Sequence, residues 1–84
     1  NHGCNEMKTL HSGNDEFPFV TTRTIPFTWT FVEAVDHEHP YILTVTVDGH
    51  QHSEGYGSDI GETEAAAKAA RMAREVYGNI QARS

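Results

Sequence analysis

The chain has 84 residues, 37% of them hydrophobic, and a formal net charge of −6 from 12 acidic and 6 basic side chains. That length makes one small domain with roughly 60–65% of its unfolded surface to bury, and no run approaches the ~18 apolar residues of a membrane span, so no membrane partner is expected. The acidic balance disfavours phosphate-backbone partners, whose affinity comes from Lys and Arg displacing counterions, and the one cysteine, Cys4, excludes an internal disulfide or a four-cysteine zinc site. A lone thiol fits a reducing compartment, so a cytoplasmic location is the expectation.

Residues 1–16, NHGCNEMKTLHSGNDE, carry no apolar period. They read as a disordered or loosely ordered tail ahead of a single domain over 17–84. From Phe17 onward Thr alternates with apolar residues, and β-branched and aromatic content favours strand. Pro26 should interrupt it, giving a short edge strand over 19–25 and a firmer one over 27–35. In the second, Phe27, Trp29 and Phe31 share a face that should be core, with Thr28 and Thr30 on the other. DHEHP at 36–40 reads as a turn.

YILTVTV at 41–47 is the cleanest alternation in the chain, and Asp48-Gly49 is a hairpin signal because both residues tolerate positive φ. The next strand starts HQHSEGYG. A two-residue loop would pair Val47 with His50 and set both histidines on the apolar face. A three-residue loop with a Gly bulge pairs Thr46 with His50 and keeps polar opposite polar, which is the register expected. The last element, GETEAAAKAARMAREVYG, is helical from about Glu62 to Tyr77. Alanines supply propensity, Glu62 and Glu64 complement the dipole, and Glu64 and Lys68 stand i, i+4. Gly78 reads as the residue just past the helix. Ala66, Ala69, Ala70, Ala73, Val76, Tyr77 and Ile80 form the expected buried stripe.

The strands and helix over 27–77 resemble the second half of a double-stranded-RNA-binding domain, a three-stranded meander followed by a helix. EGYGSDIGETEAAAKAARMA carries the frame, with Gly55-Tyr56-Gly57 at the end of the third strand and the Ala-rich helix after it. The Ser-Lys-Lys-x-Ala-Lys helix opening of that family falls on Gly61, Glu62, Thr63 and Ala66, without its phosphate-binding cations. The resemblance therefore implies the fold and not binding of dsRNA. GETEAAAKAAR after a sheet is also similar to HicB-type antitoxins, although GYGSDI stands where that family has Pro-Asp-Leu-Pro-Gly-Cys. That likeness implies a small regulatory module with one protein partner.

Two chemical alternatives remain. Lys68, Arg71, Arg74 and Arg83 could give the helix a basic, nucleic-acid-binding face. His50 and His52, with Glu54 as a third donor, have the spacing to share a metal on one strand face, and His37 and His39 repeat it. The two histidine pairs should lie at opposite hairpin ends, about five strand residues or roughly 16 Å apart. No Ser–His–acid, Cys–His or phosphate-loop signature occurs, so a non-catalytic chain without a cofactor is expected. The expected architecture is α+β: an antiparallel sheet of three or four strands with one long C-terminal helix on a single face. One helix covers a sheet poorly, and open strand edges invite pairing, so a homodimer and a protein partner are expected.

Overall fold

Alternating Thr and apolar residues build the centre of the sheet, where strand propensity and burial agree. The computed structural model describes residues 7–19, 22–34 and 40–83. Within them β1 (Met7–Phe19), β2 (Arg23–Ala34), β3 (Tyr41–Val47) and β4 (His50–Tyr56) form one antiparallel meander in the order β1-β2-β3-β4. The helix α1 (Glu62–Arg83) lies across one face, giving the α+β architecture expected. Phe27, Trp29 and Phe31 from β2 and Leu43, Val45 and Val47 from β3 point at the helix and are buried, while Thr28 and Thr30 are exposed on the far face. Full burial of each large apolar side chain is worth about 1.5–3 kcal/mol, so these two strands carry most of the sheet's share of the core.

The helix meets them through Ala65, Ala69, Met72, Ala73 and Tyr77. The stripe is rotated slightly from the expected one: Ala65 and Met72 are buried, and Ala66, Ala70 and Val76 pack at its margins. Alanine at the contact removes the side-chain layer that would hold the helix away from the sheet.

Three expectations about where the elements begin and end need correction. Residues 7–16, read as tail, belong to β1, which pairs along β2 from Met7↔Ala34 to Phe19↔Arg23 with an irregularity between Thr9 and His11. β1 lacks apolar alternation because β2 supplies its ladder, and small or polar residues suffice opposite large ones: Gly13 pairs with Trp29 and His11 with Phe31. Residues 1–6 lie outside the described residues. Next, Pro26 does not interrupt β2. Pairing to β3 begins only at Phe27↔Val47, so one flank of β2 is open at Pro26, the setting in which a strand tolerates proline. Lastly, α1 runs through Gly78 to Arg83. Tyr77 is buried before the glycine and Ile80, half-buried after it, borders a hollow shared with His50 and His52; the burial of Tyr77 overrides the roughly 1 kcal/mol preference against a helical glycine.

The hairpin register also differs from the expected one. Asp48 (φ 53°) and Gly49 (φ 79°) are both left-handed, the conformation of a two-residue type I′ loop. Val47 therefore pairs with His50, Val45 with His52 and Leu43 with Glu54. Both histidines stand on the helix side of the sheet. They remain exposed because β4 is the edge strand and α1 stands over it across open hollows rather than in close contact. A polar side chain on the core-side parity costs little where it stays in contact with water, as His50, His52 and Glu54 do, so the turn's backbone preference decides the register.

Candidate functional site

Among the described residues β4 has one neighbour, β3, and no strand lies along its other edge. In a two-residue hairpin the residues flanking the loop exchange both backbone bonds, and bonded and non-bonded pairs then alternate. From Val47↔His50 onward, His50, His52, Glu54 and Tyr56 thus bond inward to β3. The N–H and C=O groups of Gln51, Ser53 and Gly55 point outward along the free edge. None of the seven residues from His50 to Tyr56 is Pro or Lys, two of the residues that commonly blunt an edge.

Above this edge, between β4 and α1, lie two shallow hollows. One, about 210 Å³, is lined by Glu54, Tyr56, Lys68, Arg71, Met72 and Glu75. The other, about 250 Å³, is lined by His50, Gln51, His52, Val76, Asn79 and Ile80. In the first, the Tyr56 hydroxyl donates to Glu54 Oε1 at 3.2 Å, and Lys68 Nζ stands 5.9 Å from the Tyr56 ring centroid and 3.8 Å from Glu64. Burial, and then the bond to Glu54, raise the Tyr56 phenol above its ordinary value of 10.0. It is a neutral donor across the physiological range. The floor of the hollow is Met72, so an entering side chain meets an apolar base and a charged rim.

The four helix cations do not form one surface. Lys68 and Arg71 border the β4 hollow, whereas Arg74 lies over Phe17, its guanidinium 5.9 Å from the ring centroid, on the β1 side. Arg83 is the last residue of α1. Of the metal candidates, His52 Nε2 lies 3.7 Å from Glu54 Oε2, both side chains about half exposed. Among the described residues no three His, Cys, Asp or Glu side chains converge as a metal set. His37 and His39 lie outside the described residues.

A second polar cluster was not legible in the sequence. His11 Nε2 and Asp59 Oδ1 are 3.2 Å apart, joining β1 to the segment ahead of α1, and the same oxygen accepts from the Gly61 N–H at 2.9 Å. The pair is 48 residues apart in sequence, and no local pattern marks such a contact. Tyr56, Met72 and Glu75 were missed as lining residues for a related reason: only the two-residue register turns β4 towards the helix. Compared with known proteins, the chain matches no family model, no curated protein and no solved structure.

Proposed function

We propose that this chain is a small non-catalytic interaction module that takes an extended segment of a protein partner as a fifth strand along β4. One observation carries the reading: an open edge, with three outward-facing backbone positions at Gln51, Ser53 and Gly55, runs beside hollows between β4 and α1. Strand addition uses such an arrangement, in which main-chain bonds give affinity and an adjoining groove reads alternate side chains. The inward-bonded residues of an added strand's neighbour, His50, His52, Glu54 and Tyr56, face the helix side and would line that reading surface. The polar face opposite, with Thr44 Oγ1 bonded to Ser53 Oγ at 2.8 Å, stays in solvent.

The test uses the full chain and a Ser53→Pro variant as baits in lysate of the source cell, each with and without nuclease. Ser53→Pro removes one outward N–H and leaves the β3 ladder intact. A protein retained by the wild type in both nuclease conditions and lost from the variant is the expected result. Equal recovery on both baits, or recovery that requires nucleic acid, would overturn it; the latter would point to the cations of α1.

A further inference from the structure

The edge that β4 presents is complementary to itself. We infer that the segment it takes up is β4 of a second copy of this chain, paired antiparallel about Ser53 to give a continuous eight-stranded sheet; this rests on the reading of β4 as the binding edge. Only registers that set outward-facing residues opposite outward-facing residues can exchange backbone bonds. Centred on Ser53, Ser53 meets its symmetry mate and Gln51 meets Gly55 of the second copy. Every outward N–H and C=O of the strand then gains a partner.

The side chains choose among the permitted registers. About Ser53, His52 of each copy stands opposite Glu54 of the other, in the closer, non-bonded type of pair. Moving the centre to His52 brings His50 opposite Glu54 but sets the two His52 against each other. Centring on Glu54 sets carboxylate opposite carboxylate. Only the Ser53 register places an imidazole opposite a carboxylate twice without a like pair. It also joins the hydroxyl row Ser12–Thr30–Thr44–Ser53, already in register across the sheet, to the same row of the mate.

The other edge is not built this way. β1 carries an irregularity at Leu10, a proline at Pro18 and adjacent carboxylates at Asp15 and Glu16, devices that discourage edge pairing. The asymmetry between a guarded β1 and an unguarded β4 selects a closed two-fold dimer over an open chain of sheets.

The decisive experiment is sedimentation equilibrium of the full chain over a concentration series at one fixed pH. It compares wild type with His52→Glu, Glu54→His, and the double variant that exchanges the two residues. Wild type should approach twice the chain mass. Each single change puts like groups opposite, twice per dimer, and should weaken association about tenfold; the exchange should restore it. Hydrogen exchange on the wild type needs no variant to fold: the Gln51, Ser53 and Gly55 amides should gain protection as the dimer forms. A wild-type monomer throughout, a dimer indifferent to both single changes, or a double variant that is not rescued would overturn the inference. A monomer whose β4 amides become protected on adding a captured partner would also overturn it, while leaving the interaction-module reading intact.

Discussion

At the scale of single residues, the tightest constraint is Gly13. A β-carbon there would stand 2.9 Å from Trp29 Nε1 and 3.1 Å from Cε2, and the indole, 5% exposed within the core, has little room to yield. Gly13→Ala is expected to destabilise the fold by about 1–3 kcal/mol as an overpacking change, read as a lower urea midpoint. Ser12→Ala, exposed on the opposite face, should stay within about 0.5 kcal/mol. Asp59 sets a second residue-scale expectation. The Gly61 N–H above all holds its carboxyl below the ordinary value of 3.8, opposed by desolvation and aided by the contact with His11. A depressed folded value means that the contribution is complete above 3.8 and is lost as pH falls through the folded value. Asp59→Asn should therefore flatten the acid limb of a stability–pH curve below that point. An unchanged limb would assign the acid sensitivity to other carboxylates.

Among the elements, α1 offers a paired test in which one kind of substitution has opposite signs. Gly78 lies inside the helix with nothing within 4 Å of a β-carbon and no positive φ. Gly78→Ala should stabilise the protein by about 0.5–1 kcal/mol by restricting the unfolded chain and raising helix propensity. Gly61, whose carbonyl accepts the first helical bond from the Ala65 N–H at 2.9 Å, has equal space but φ +86°. Gly61→Ala should cost about 1 kcal/mol through left-handed backbone strain. Thermal melts of the two variants should move in opposite directions, and a shift of the same sign in both would refute the account. The helix was plain in the sequence because alanine propensity and first-turn acids are local signals. Its end was not, since Gly78 has the signature of a terminus, yet with Tyr77 buried in the core the helix runs on to Arg83. β3 was equally plain from YILTVTV, and the Asp48-Gly49 turn from its two residues. The register was not, because pairing polar with polar is a sound rule only where a layer covers the face.

For the whole molecule, the largest difference lies in β1, whose residues 7–16 have no strand pattern and acquire one only by pairing with β2. A chain cut to 17–84 would lose Gly13 and His11 from beside Trp29 and Phe31, along with the His11–Asp59 contact to the start of α1. It should unfold at a clearly lower urea midpoint and, with β2 made a new edge, aggregate at concentrations where the full chain is clear. A fragment as stable as the parent would restore the reading of these residues as a tail. The sequence by itself determined the features that arise from contacts a few residues apart: the alternating strands, the place of the hairpin turn at Asp48-Gly49, the alanine-rich helix and the two-layer α+β architecture they require. The tertiary structure alone decided which strands stand at the edges, that residues 7–16 join the sheet, and where the helix stops. Those outcomes depend on what lies above or beside a residue, and long-range neighbours leave no local period in the chain.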